Sequence, residues 1–339
     1  MGESRNQLLG PLLKDVSRTF YLTLRVLPGR IRPQIGLAYL LARTTDTIAD
    51  TGLIRLERRL EAMELLKSRI LGKSQASLDF SELAQHQGSP AERILLEKCE
   101  SILGLLATLT PGDLQLVREV LGTITSGQEL DLRRFGGATA HRIVALRTGE
   151  ELDDYTYLVA GCVGEFWTRM CLAHVFRKRR LNESYLLANG VRFGQGLQLV
   201  NILRDLPADL RNGRCYLPAD QLAQRGLTPE DLLTPINESR FRTVYETWLD
   251  RAEAHLLAGW DYTNALPRGS VHVRLACAWP IQIALETIKL LRASPILDPE
   301  KRVKIGRREV KKLMLRSALL YPFPAWKRLV LGRVSPPAG

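Results

Sequence analysis

Apolar residues recur through most of this chain at three- and four-residue intervals, the period of a helix face. In "TPGDLQLVREVLGTITSGQELDLRRF", Leu114, Val117, Leu121 and Ile124 mark one such face. Thr110-Pro111 with Asp113 reads as its start: a hydroxyl cap, a proline in the first turn and an acid at the positive dipole end. "LTPEDLL" from Leu227 repeats that signal after Gly226, which predicts a second helix start there. "RFRTVYETWLDRAEAHLLAGW" sets Phe241, Val244, Trp248, Ala252 and Leu256 on one stripe. "VHVRLACAWPIQIALETIKLLR" predicts a further apolar helix, kinked near Pro280. Loops are expected at 72–90, 136–139, 210–227 and 265–270. Alternating strand patterns are scarce, so the expected fold is all-α: one domain, a helical bundle around a single core.

Two short stretches interrupt the apolar pattern. "LARTTDTIAD" places Asp46 and Asp50 four residues apart, and "NILRDLPADL" does the same with Asp205 and Asp209. At that spacing both members of a pair project from one helix face, where bare carboxylates repel. A cation between them removes the cost. With no His or Cys nearby, the donor set suits a hard metal; Mg²⁺ binds one or two carboxylates plus substrate phosphates. A single D-x-x-x-D is most often a solvated face. Here the flanks are strongly apolar and each pair follows an arginine, Arg43 or Arg204, which favours a metal–diphosphate site with the second pair as its opposite wall. Pro207 lies inside the second pair and predicts a helix that ends or bends there.

Charge and cysteine content narrow the setting. The 339 residues carry a net charge of +12, concentrated in "KRVKIGRREVKK" with smaller groups at Arg177–Arg180 and Arg133–Arg134. Five cysteines without a C-x-x-C pair suit buried, reduced thiols. The N-terminus lacks a secretory pattern and no apolar run reaches the ~20 residues of a membrane span, so a cytoplasmic location is expected. The basic charge has no nucleic-acid motif beside it, so no nucleic-acid partner is expected. "DPEKRVKIGRREVKKLMLRSALLYPFPAWKRLVL" mixes cations with Leu, Tyr, Phe and Trp, the composition of a segment lying on an anionic membrane face. A catalytic domain is therefore expected over 1–315 and a basic, aromatic tail over 316–339, with Tyr321-Pro322-Phe323-Pro324 breaking any helix and "VSPPAG" disordered.

"SRTFYLTLRVLP" (Ser17–Pro28), "LARTTDTIAD", "YTYLVAGCVG" (Tyr155–Gly164) and "GQGLQLVNILRDLPADLRNGRCYLP" (Gly194–Pro218) together resemble the squalene/phytoene synthase family, in the family's order and spacing, from about Val16 to Leu291. The resemblance implies an isoprenoid-synthase fold with a central cavity, and Mg²⁺-dependent head-to-head joining of two prenyl diphosphates. It implies that Asp46, Asp50, Asp205 and Asp209 hold the metal. Ser17, Arg18, Arg43, Asn201, Arg204 and Arg214 would bind diphosphate, and Asp131 is a weaker candidate. Phe20, Leu24, Val159, Ala160, Val163, Gln198 and Leu199 would line the cavity. Leu158 stands where many relatives carry tyrosine, which points to Tyr157 for cation steering. The small residues of "VAGCVG" read equally as room for hydrocarbon or as close helix packing.

The activity implied most directly is that of a squalene synthase: two farnesyl diphosphates, presqualene diphosphate as intermediate, and squalene by hydride capture from NADPH. Phytoene, dehydrosqualene or presqualene diphosphate synthase is the near alternative. No G-x-G-x-x-G follows a strand, and "GQG" (Gly194–Gly196) reads as packing. A monomer is expected. From another class comes a non-catalytic, membrane-associated assembly factor, which should show eroded aspartate motifs; all four carboxylates are present here.

Overall fold

The computed structural model describes residues 5–17, 20–298, 301 and 303–330. The chain is all-α, and its Cα packing divides it into two compact units, Met1–Gly136 with Glu165–Leu181, and Gly137–Gly164 with Asn182–Gly339.

In the first unit, α1 (Phe20–Val26) leads to α2 (Arg32–Asp50), which packs on α3 (Leu56–Ile70), α4 (Pro90–Glu97) and α5 (Pro111–Arg134). α2 buries Ile35, Leu37, Leu40, Leu41 and Ile48 on this side. It also buries Thr44, Thr45 and Thr47. Two of their hydroxyls bond back to the helix, Thr44 to Leu40 O at 2.9 Å and Thr45 to Ala42 O at 2.8 Å, so α2 keeps its polar run inside. α5 starts as predicted: the Thr110 hydroxyl accepts from the Asp113 N–H at 3.2 Å, with Pro111 in the first turn. The expected loop at 72–90 holds one helical turn, Ser81–Gln85.

The second unit contains α6 (Gly149–Thr156) and a π-helical turn over Tyr157–Gly161 that leads into α7 (Cys162–His174), whose residues from Glu165 belong to the first unit. It continues with α8 (Glu183–Arg211), α9 (Glu238–Ala265), α10 (Val271–Arg292) and α11 (Arg307–Leu320). α8 packs mainly on α9, and α9 on α10. The predicted α9 stripe is buried throughout: Phe241, Val244, Trp248, Ala252 and Leu256. Each large side chain removed from water there contributes about 1.5–3 kcal/mol. Two-residue strands β1 (Val144–Ala145) and β2 (Arg214–Cys215) pair in parallel, Val144 opposite Arg214.

Three expectations change. α8 does not end at Pro207; it runs to Arg211. The start signal at Leu227 yields only a 3₁₀ turn, Glu230–Leu233, and α9 begins at Glu238. The Thr228 hydroxyl and N–H bond Asp231 Oδ2, at 3.1 and 2.7 Å, as at a helix start, but Thr234 before Pro235 is extended and ends the turn. The 210–227 stretch holds β2 and a helical turn, Ala219–Ala223, before Gly226 (φ +63°) ends it.

The tail boundary at 315/316 falls inside α11. Ser317 is buried, and its hydroxyl accepts from Gln282 Nε2 at 2.8 Å, which ties α11 to α10. Beyond the Tyr321–Pro324 break, Trp326 packs tilted against Trp260 (5.2 Å between centroids, 33° between planes) and donates to Asn264 Oδ1 at 3.0 Å. Residues 334–339 lie outside the described residues. The five cysteines are free and buried, and burial pushes the Cys99 and Cys215 thiols up to about 12.

Candidate functional site

Beyond its first turn, α2 leaves one accessible stripe: Tyr39, Ala42, Arg43, Asp46, Ala49 and Asp50. Both predicted aspartates therefore lie on the same side of a mostly buried helix. Arg43 divides its guanidinium between two acids, Nη1 donating to Asp46 and Nη2 to Glu92 of α4. The Asp46 side chain is 40 % exposed. Surrounding protein, and next the charge on Asp50, push its carboxyl above the usual carboxylate range, against the pull of Arg43. An acid pair that repels internally despite an adjacent arginine fits a divalent cation.

Several neighbours were not legible from motif spacing alone. Glu92 sits in the undistinguished run "PAERILLE". Arg59 of α3 donates to Ala49 O at 2.7 Å and so fixes the last turn of α2 beside Asp50. Tyr39 stacks on Phe20 (5.1 Å between centroids, 26° between planes). Its position one turn before Arg43 is the signal that would have found it.

The second pair lies on a matching stripe of α8. Gln198, Asn201, Asp205 and Asp209 are part-exposed or exposed, whereas Leu199, Ile202, Leu203, Leu206 and Leu210 are buried. Arg204 grips Asp205 with both arms, Nε to Oδ1 at 2.9 Å and Nη2 to Oδ2 at 2.6 Å. Arg214 is held just beyond by the β1–β2 pairing, where the Val144 N–H donates to Gly213 O at 2.8 Å. Gly213 has φ +77°, and a Cβ there would stand 2.4 Å from Thr139 O, so only glycine makes this turn.

The remaining expected residues divide. Leu24 and Leu199 are core residues, each 1 % exposed. Ser17 is 3 % exposed and donates its hydroxyl to Leu13 O at 2.5 Å, leaving it only lone pairs to offer. Arg18 lies outside the described residues. Tyr157 and Val163 are exposed at 37 % each, and Val159 and Ala160 are part-buried. The glycines of "VAGCVG" serve packing: a Cβ at Gly164 would lie 1.8 Å from Gly190 O, and one at Gly194 would lie 2.2 Å from Ala160 O. The basic group after α7 lines a hollow of about 780 Å³ with Arg30, His174, Arg177, Lys178 and Arg179 on its wall.

Among the described residues no three or more His, Cys, Asp or Glu side chains gather into a metal cluster. The acids stand as pairs, the donor number expected where phosphate oxygens complete a Mg²⁺ shell. A sequence profile described as squalene/phytoene synthase matches residues 13–309.

The chain belongs to the squalene/phytoene synthase family.

Relatives within that family extend the comparison. The bifunctional lycopene cyclase/phytoene synthase of Pyrenophora tritici-repentis is 28% identical over 309 residues, 88% of this chain and 48% of the relative. The 15-cis-phytoene synthase of Synechocystis sp. is 27% identical over 300 residues, 85% of this chain and 75% of the relative. The chain thus spans about half the length of the fungal bifunctional relatives it matches. Among solved structures, TcSQS in complex with the ligand BPH1237 superposes with a TM-score of 0.79 at 19% identity, covering 99% of this chain and 94% of that one. That likeness establishes a shared all-α fold. The family match spans both aspartate motifs, so the two stripes are the part of this squalene/phytoene synthase family member on which diphosphate chemistry is sought.

Proposed function

We propose that this protein catalyses the Mg²⁺-dependent head-to-head condensation of two prenyl diphosphates, two farnesyl diphosphates forming presqualene diphosphate and then squalene with NADPH. The reading rests chiefly on one observation: two helices each present an arginine-flanked aspartate pair on their accessible stripe, inside the matched family region. In this reading Asp46, Asp50, Asp205 and Asp209 hold the metal. Bound Mg²⁺ supplies Lewis-acid neutralisation of the departing diphosphate.

The chain's own residues do the rest. Arg43, Arg204, Arg214 and Arg18 offer forked, charge-assisted donors to phosphate oxygens. Their carboxylate partners hold Arg43 and Arg204 in place beforehand, which is what lets such donors act on a developing charge. Asn201 adds a neutral amide donor; Ser17, whose hydroxyl proton is held by Leu13 O, has none to offer. Phe20 with Tyr39, and Tyr157, offer π faces to an allylic cation, and the apolar side chains beside them keep water from it.

A second reading, a phytoene-type product reached by proton loss without NADPH, is favoured by the relatives named phytoene synthases. Incubation with farnesyl or geranylgeranyl diphosphate and Mg²⁺, with and without NADPH, separates the two. Squalene from the C15 substrate supports the first reading. A hydrocarbon from the C20 substrate without NADPH installs the second. No diphosphate release from either substrate overturns both.

The same reading includes work at a lipid surface. Among the described residues no helix is long and apolar enough to cross a membrane. The outward face of α11 carries Lys311, Lys312 and Arg316 beside Leu315 and Leu319, both 62% exposed, with Phe323 (59%) just beyond. Cations interleaved with exposed apolar side chains suit an anionic lipid surface.

A further inference from the structure

Pro207 is the residue that should have broken α8. It has no N–H, so it cannot bond to the carbonyl four residues back, that of Leu203. Leu203 is 0 % exposed, and water does not reach that carbonyl to replace the lost bond. The helix nevertheless continues to Arg211. The replacement donor comes from α9: the Tyr245 hydroxyl donates to Leu203 O at 3.0 Å. Tyr245 is itself fully buried, and burial raises its phenol far above the usual range, so the hydroxyl stays protonated and remains a donor.

The location matters more than the bond. Asp205 precedes Pro207 by two residues and Asp209 follows it by two. Any break at the proline would fall between the two carboxylates and swing one away from the other.

We propose that Tyr245 is a positioning residue for the second aspartate pair: by satisfying the carbonyl that Pro207 leaves without a donor, it keeps Asp205 and Asp209 one turn apart on the accessible stripe of α8. This rests on the proposed metal-binding role of that pair. Tyr245 touches neither aspartate and acts only through the helix. Its ring also packs against Phe241 (5.4 Å) and under the Arg242 guanidinium (5.7 Å), so the test must remove the hydroxyl and leave the ring.

Tyr245→Phe does that, and Pro207→Ala supplies the decisive partner, because alanine in place of the proline restores a backbone N–H to Leu203 O. The two single variants and the double variant form a cycle. Amide hydrogen exchange over residues 205–211 reads the helix. Mn²⁺ affinity by electron paramagnetic resonance, measured in an Asp46→Asn/Asp50→Asn background, reads the second pair alone. Tyr245→Phe should speed exchange across 208–211 about tenfold and weaken Mn²⁺ binding about three- to tenfold. In the Pro207→Ala background both effects should shrink to within about twofold. Equal losses in both backgrounds would make Tyr245 an ordinary core residue and overturn the proposal. So would unchanged exchange at 208–211. If the protein with proline and tyrosine intact binds no Mn²⁺, the metal assignment fails, and the exchange cycle still decides whether Tyr245 holds the two carboxylates in register.

Discussion

Arg43 and Glu92, on α2 and α4, are joined through Arg43 Nη2, while Nη1 of the same guanidinium holds Asp46. One fork thus serves two acids, and only one of them belongs to the aspartate motif. Both partners of the outer pair are mostly buried, with side chains 23% and 17% exposed. The arginine is therefore fixed in direction before any ligand arrives.

Removing the Glu92 charge should release that arm. For Glu92→Gln we expect a stability loss of about 1–3 kcal/mol, because a partly buried guanidinium loses a charged partner. Turnover should fall about tenfold with a rise in KM, since Arg43 is then less well aimed. Thermal melts and steady-state kinetics check both.

The aspartates themselves should matter to chemistry and little to folding, being part-exposed. Asp46→Asn and Asp205→Asn should each cut diphosphate release by roughly 10²–10³-fold. Circular dichroism should stay unchanged. Near-normal release by either variant would remove that residue from the metal site.

Close helix approach makes a contrasting pair of glycines. Gly164→Ala forces a Cβ to within 1.8 Å of Gly190 O, which is backbone and has nowhere to go. A loss of about 1–3 kcal/mol or more is expected in urea denaturation. Gly112→Ala meets nothing within 4 Å and should be neutral or stabilising by about 0.4–1 kcal/mol.

His255 sets an acid-side dependence. Burial, then the charges of Arg192 and Arg251, lower its pKa to about 4. Its Nδ1 accepts from Arg192 Nε at 3.3 Å, which needs the neutral ring. The unfolded chain takes up this proton below about pH 6.5 while the folded chain resists until about pH 4. Stability should therefore fall as pH drops through that window. Urea titrations at a series of pH values should show a shallower fall for His255→Gln.

Membrane contact through α11 should show in co-sedimentation with phosphatidylcholine vesicles, with and without phosphatidylserine. Binding to the anionic vesicles is expected, weakened by added salt. It should be lost in Lys311→Glu/Lys312→Glu and reduced in Leu315→Ser/Leu319→Ser. Equal sedimentation of all variants would remove α11 as the contact.

Some of these features are legible in the amino-acid order itself. The Thr110 cap, the buried α9 stripe and the turn glycine at 226 depend on contacts a few residues apart, so spacing reveals them. The second start signal opened only a 3₁₀ turn, because Pro235 holds Thr234 extended (φ −113°, ψ 115°) and stops the helix there. Glu92 and Arg59 stay invisible at that level, since their partners lie 49 and 10 residues away and nothing local marks them.

The amino-acid order alone determined the all-α class, the two aspartate pairs and their arginines, because helical period and i, i+4 spacing are local properties of a chain. It could not decide that α8 survives its own proline. That outcome depends on a hydroxyl 42 residues away in sequence reaching one carbonyl. A donor brought in by packing leaves no trace in the pattern around the residue it rescues.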